Sequence, residues 1–270
     1  MMPAQITSTS NPQVKNVVTL MKKSRARTEQ GLFVVEGMKL FQELPAAWIA
    51  QVYVSEGFVS DGPMDEVRKV CNPLVVSDRV FTAMADTCTP QGILALVRQP
   101  VWELEQMIGL AKSPFFLILE QLQDPGNLGT ILRTAEAAGC TGIIMSRDTV
   151  DIYNPKTIRS TMGALYREPF VYVEELEEAI ALLRQQEILV YAAHLKGRQY
   201  FDELSYEKGG AFLIGNEGNG LRQETAEQAD IWVKIPMEGK VESLNAAVAA
   251  ALLVYQASGG FRRSKRPTGP

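Results

Sequence analysis

One histidine and three cysteines in 270 residues leave little material for metal chemistry or for a disulfide scaffold. Cys71, Cys88 and Cys140 are scattered with no CxxC spacing, so neither a zinc site nor a disulfide framework is indicated. They read as reduced, mostly buried thiols of a cytoplasmic protein. The N-terminus lacks the apolar core of a signal peptide, which argues against secretion. No apolar run reaches the roughly eighteen residues of a membrane span. The glycine-rich stretch GNEGNGL matches neither G-x-G-x-x-G nor a loop ending in GK[ST], so dinucleotide and P-loop readings have little support. No nucleophile elbow is available for a Ser/His/Asp triad. His194, alone at the end of ILVYAAH, reads as structural rather than as a base. No internal repeat is visible, and low complexity is confined to the last ten residues.

What is present is an ordinary globular composition, 46% hydrophobic and 21% charged. A net charge of -4 excludes a uniformly basic nucleic-acid binder. The distribution says more. Lys15, Lys22, Lys23, Arg25 and Arg27 cluster near the start, and Arg262, Arg263, Lys265 and Arg266 near the end. Each run fits a solvated face or tail, or a local patch that attracts phosphate despite the acidic total. The acidic residues between Glu174 and Glu187 suit a solvated helix face.

After a polar, basic leader with a turn or helix-start signal at Asn11-Pro12, the pattern changes at Gly31. LFVVEG, IAQVYVS, LVVS and GILALVR read as strands, with helical segments at MKLFQEL, Met64 to Val70 and Val80 to Met84. This alternation predicts a small α/β domain. A short helix-like linker between Pro100 and Pro114 places the boundary, giving domains of 1–105 and 106–270. The second half opens with FFLILE, a continuous apolar run suited to a parallel strand covered on both faces. Helices then alternate with GIIMS, FVYV, ILVYAAHL, AFLIG and IWVKI, predicting a mostly parallel sheet with helices on both sides.

Ligands of open parallel sheets bind beyond the carboxyl ends of the strands, and three such loops are rich in polar or glycine residues. In DPGNLGTILRTA, Asn127 and Gly129 precede a helix expected over Thr130 to Ala138, whose first amides can receive an anion. Arg133 sits about one turn inside, suited either to phosphate, through its two-pronged guanidinium, or to a neighbouring carboxylate. In GNEGNGL, Gly215, Gly218 and Gly220 permit close backbone approach to a ligand. Asn216 lies between them, and Glu217 is a catalytic carboxylate, a helix cap or a solvated residue. In IPMEGKVESLN, which holds Ile235, Met237 and Leu244, Pro236 ends a strand and Ser243 is placed to cap the next helix. Capping would leave Asn245 beside a very apolar neighbourhood. From Ala246 to Tyr255 that helix has no charge on any face, so it is expected to be buried all round.

Together, NLGTILRTA, LIGNEGNGL and IPMEGKVESLNAAVAAALLVYQ resemble the three motifs of the SpoU (TrmH-type) RNA ribose 2′-O-methyltransferases of the SPOUT superfamily. FVVEGMKLFQEL is similar to the substrate-binding domain of two-domain members. The resemblance implies an α/β fold with a C-terminal trefoil knot, against the general rule that chains are not knotted. It also implies a small N-terminal RNA-binding domain, a cytoplasmic homodimer, and no metal. S-adenosylmethionine (SAM) would lie in the knot at Gly215, Ile235 and Leu244, with Asn216 and Met237 nearby. Arg133 takes the position of the family's proposed base, with Asn127, Glu217, Ser243 and Asn245 positioning it, the ribose and the loops. A guanidinium stays protonated to pH above ~12, so holding the adjacent phosphate and lowering the hydroxyl pKa is chemically easier. The accessory domain favours 23S ribosomal RNA as substrate; transfer RNA, or a non-catalytic RNA-binding relative, are the alternatives.

Overall fold

The structure is a computed structural model that describes residues 6–259. The C-terminal basic run and the low-complexity tail lie outside the described residues. Two compact units are present, one formed by the chain up to Pro100 together with Asp151–Tyr166, the other by Val101–Val150 and the chain from Arg167 on.

The first unit holds a four-stranded sheet of β1 (Leu32–Glu36), β2 (Ile49–Ser55), β3 (Leu74–Val76) and β4 (Ile93–Arg98), in the order β1-β4-β2-β3. Only β2 and β3 pair in parallel. The polar leader is a correction to the sequence reading, because much of it is core. Asn11 caps a helix over Pro12–Lys22 by accepting from Gln13 N at 2.8 Å, with Pro12 preset for the first helical position. Val14, Val17, Leu20 and Met21 then recur at helical spacing and pack under Val34, Tyr53 and Leu94. Arg27, counted among the surface cations, is only 4% exposed. Its guanidinium donates to the carbonyls of Leu20 and Met21 and forms an ion pair with Asp151. Asp151 opens a segment far along the chain in which Tyr153 stacks on Phe33 at 4.7 Å and Arg159 pairs with Asp86.

The second unit is built on a seven-stranded sheet, parallel at every pairing. Its strands are β5 (Phe115–Leu119), β6 (Gly142–Ser146), β7 (Phe170–Val173), β8 (Val190–Ala193), β9 (Gln199–Tyr200), β10 (Gly210–Ile214) and β11 (Ile231–Lys234). The order is β7-β6-β5-β10-β8-β11-β9. Every residue of β5, β6 and β10 is buried, as continuous apolar runs require when helices cover both faces. The chain steps outward from β5 to β6 and β7, then returns to insert β10 between β5 and β8. The carboxyl ends of β8, β10 and β11 open onto a crevice.

Two helices flank the crevice, Pro125–Ala138 and Ala246–Ala257, and they pack on each other. The last helix is not buried all round, contrary to the sequence expectation. Ala246, Ala247, Ala250, Leu253 and Val254 face inward, whereas Val248 is 48% exposed and Leu252 and Tyr255 are half-buried. Absence of charge on a helix therefore does not by itself place every face of it in the core. All three cysteines are free, and Cys88 is exposed rather than buried.

Glu168, just before β7, is buried and one of its carboxyl oxygens has no hydrogen-bond partner. Burial first, and Glu136 second, push its pKa up to about 8. The unfolded chain releases this proton near the ordinary carboxyl pKa, while the native state keeps it to about pH 8. Stability therefore falls as pH rises from the ordinary carboxyl range to about 8, and levels off above. Glu168→Gln is expected to remove this slope, gaining on the order of 2–4 kcal/mol at alkaline pH and nothing under acid conditions. Urea midpoints at pH 4 and 8.5 check it; parallel curves for both proteins would refute the assignment.

Candidate active site

Three loops leave the carboxyl ends of β8, β10 and β11 and surround one cavity of about 390 Å³. Its walls come from residues 193–196, 214–221, 233–235, 237, 242–244, 246 and 249, among them Gly215, Asn216, Ile235, Met237 and Leu244. Ile214, Val233, Ile235, Leu244 and Ala246 supply apolar surface, and the glycine-rich loop supplies backbone.

That loop folds on itself. Asn216 N donates to Gly220 O at 3.0 Å and Gly220 N returns to Asn216 O at 2.9 Å. A Cβ on Gly215 would lie 2.2 Å from Gly220 C and from Leu221 N, so only glycine allows this closure. The Asn216 side chain is fully engaged in building the loop. Its Oδ1 accepts from Gly218 N and Asn219 N, and its Nδ2 donates to Gln121 O at 2.8 Å.

Beside the cavity, three loops are tied through Glu217. Its carboxylate accepts from Gln123 N at 3.1 Å, Asp124 N at 3.0 Å and Asn127 Nδ2 at 3.0 Å. Asn127 Oδ1 in turn accepts from Asn245 Nδ2 at 2.9 Å. Partial burial would raise the Glu217 pKa, but the hydrogen bonds from Asn127, Gln123 and Asp124 outweigh it and hold the pKa below the ordinary value. Glu217 is thus a carboxylate that fastens three loops through three hydrogen bonds.

Two local expectations are corrected here. The first helix begins at Pro125, with Asp124 accepting from Asn127 N at 2.8 Å, so Asn127 lies in its first turn and the amide it carries is already capped. Arg133 consequently stands more than two turns in; it is exposed, lines no part of the cavity, and makes no hydrogen bond or ion pair among the described residues. The second correction concerns the cap of the last helix. Asn245, not Ser243, is the N-cap, accepting from Ala247 N at 2.9 Å and Val248 N at 3.3 Å. A side-chain amide can cap with its oxygen and still donate from its nitrogen, which is how Asn245 serves the helix and Asn127 at once. Ser243 is exposed and lines the cavity.

The sequence reading missed the loop after β8. His194, Leu195 and Lys196 line the cavity. His194 stacks on Trp232 at 4.4 Å, and its Nδ1 accepts from Lys196 N at 3.1 Å. Burial and Lys196 lower its pKa, favouring the neutral ring. Its place at the end of an apolar strand was the available signal, since all the lining loops share that origin.

Residues 114–255 match the SpoU rRNA Methylase family model, and residues 11–95 match the MRM3-like substrate binding domain. The 23S rRNA (guanosine(2553)-2′-O)-methyltransferase RlmP of Bacillus subtilis (strain 168) is 32% identical over 262 residues, covering 94% of this chain and 99% of that protein. An AdoMet-bound rRNA methyltransferase from Sinorhizobium meliloti superposes with a TM-score of 0.81 at 30% identity, covering 95% of this chain and 98% of that one. For the SpoU methyltransferase AviRb from Streptomyces viridochromogenes in complex with AdoMet, the values are 0.85 and 26%, with 95% and 100% covered.

Proposed function

Because the chain belongs to the SpoU rRNA methylase family, we propose that it transfers a methyl group from SAM to a ribose 2′-hydroxyl of 23S ribosomal RNA. The observation that carries this reading is the junction of Glu217, Asn127 and Asn245 beside a glycine-framed cavity. A volume of about 390 Å³ is in the range of small-ligand sites. A Cβ at Gly215 would collide with its opposite wall, as befits a cradle made of backbone. We assign SAM to Gly215, Asn216, Ile235, Met237 and Leu244. Bound there, it supplies an electrophilic methyl with a good leaving group already attached.

What the protein must add is alignment of the hydroxyl and help with its proton. Glu217, Asn127 and Asn245 hold the three loops in register, and Ser243 faces the space where a ribose would enter. Arg133 is assigned to the RNA phosphate, where a fixed positive charge stabilises the hydroxyl oxygen as it loses its proton. We assign RNA docking to the first unit and catalysis to the second. Exposed Lys15, Lys22, Lys23 and Arg25 support the first assignment, while Arg27, inside the core, is withdrawn from it. The trefoil threading of the C-terminal segment and a cytoplasmic place of action belong to the same reading.

A homodimer belongs to it too. Val248 is exposed on a helix without charge, and a second copy is the occupant that a charge-free face on a helix next to the site implies. Val248→Asp is expected to convert a dimer to monomers by light scattering, without altering the far-ultraviolet circular dichroism of the protein. A wild-type monomer would remove this part of the reading.

The direct test is methyl transfer from SAM to 23S RNA transcripts, followed by nucleoside digestion. A 2′-O-methyl nucleoside is expected. A base-methylated product, or calorimetry showing no SAM binding, would overturn the proposal.

A further inference from the structure

Gln121 is one of few non-glycine residues in the left-handed region, with φ +54. For a residue with a side chain this conformation costs roughly 1–2 kcal/mol, so something must hold it. The holder is at the end of β6. Gln121 N donates to Ser146 Oγ at 2.9 Å, and Gln121 Nε2 donates to Asp148 Oδ2. Ser146 Oγ donates to Asp148 Oδ1 at 2.6 Å, so one carboxylate grips both the hydroxyl and the amide. Gln123 Nε2 closes the ring, donating to Asp148 O at 2.9 Å and Gln121 O at 3.1 Å.

The product of this clamp is a carbonyl aimed at the glycine-rich loop. Gln121 O accepts from Asn216 Nδ2 at 2.8 Å, and that contact orients the Asn216 amide so that its oxygen caps Gly218 N and Asn219 N. Turning Gln121 back to an ordinary backbone conformation would swing its carbonyl away. The Asn216 side chain would then lose its anchor, and the loop closed by Asn216 and Gly220 would lose its support. Ser146 is buried and also meets Thr149 Oγ1 at 3.0 Å, so the platform is fixed from the sheet side.

We propose that Asp148, which does not line the cavity, is a positioning residue for SAM binding: it locks Gln121 in the left-handed conformation that presents its carbonyl to Asn216 and so keeps the cofactor loop closed. The inference rests on the SAM site assigned above. Ser146 and Gln121 also hold the Asp148 pKa below the ordinary value, against the effect of its partial burial, which keeps the clamp charged at neutral pH.

The test is a double-mutant cycle read by calorimetry with SAM on the full-length protein. Asp148→Ala is expected to weaken SAM binding five- to tenfold. Glycine takes a positive φ without strain, so Gln121→Gly combined with Asp148→Ala should recover most of the affinity that Asp148→Ala alone loses. A purely structural role for Asp148 would give no such rescue. Unchanged binding in Asp148→Ala, or equal weakness in the single and double variants, overturns the proposal. If wild type itself binds no SAM, the methyltransferase reading fails first and the inference falls with it. That result is distinguishable from the other two.

Discussion

Arg133→Ala is expected to lower the rate of ribose methylation by about 10² or more while the Kd for SAM stays within about twofold. The structure separates the two quantities. Arg133 lines no part of the cavity and ties no loop together, so its removal leaves the cavity proposed for SAM intact. Its charge is permanent, which suits it to holding a phosphate rather than to taking a proton. Removing one such electrostatic group costs about 10²–10³ in rate. Arg133→Lys keeps the charge but loses the fork, and should fall between wild type and alanine. Turnover at saturating SAM together with calorimetry checks the split. Parallel loss of SAM affinity would make Arg133 a structural residue.

Gly215→Ala should do the reverse and remove SAM binding, raising its Kd by about 10² or more. The added methyl would sit 2.2 Å from Gly220 C and Leu221 N and 2.5 Å from Gly220 O. These are backbone atoms, so no rotamer change relieves the collision. The paired bonds between Asn216 and Gly220 must open, and with them the wall of the cavity. Gly239 is the matched control: a Cβ there meets nothing within 4 Å, and Gly239→Ala should bind SAM within about twofold. Calorimetry alongside a thermal melt of each variant distinguishes a local loss from unfolding. Normal SAM binding by Gly215→Ala would contradict the cradle assignment.

The parts of this molecule that were legible in its sequence are those governed by neighbours along the chain. FFLIL and GAFLI announced fully covered parallel strands because nothing polar interrupts them. The turn residues of GNEGNG and IPMEG marked loops that meet at the cavity, and those of DPGN the loop that Glu217 ties to them. Errors began where two residues competed for one local role. Ser243 and Asn245 both cap helices by propensity, and the amide won because it could also reach Asn127. The helix start was set too late because Pro125 and Gly126 look like turn residues, although proline fits a first helical position. Hardest to see was anything decided at long range. Arg27 looks like its exposed neighbours Lys23 and Arg25, and only a partner 124 residues away shows why it is buried. The exposed side of the last helix was equally hidden, since the absence of charge is the same whether the cover is intramolecular or another copy.

Residues 151–166 belong to the first unit, yet they are spelled between β6 and β7 of the second. A fragment ending at Pro100 would keep all four strands of its sheet while losing Asp151 and Tyr153, leaving the Arg27 guanidinium uncompensated inside the core. Transplanting the first unit onto another enzyme therefore cannot be done with a single splice; the host would need a second junction, opened in the middle of its own sheet. An end-to-end fusion of two separately folding pieces does not reproduce this interleaving.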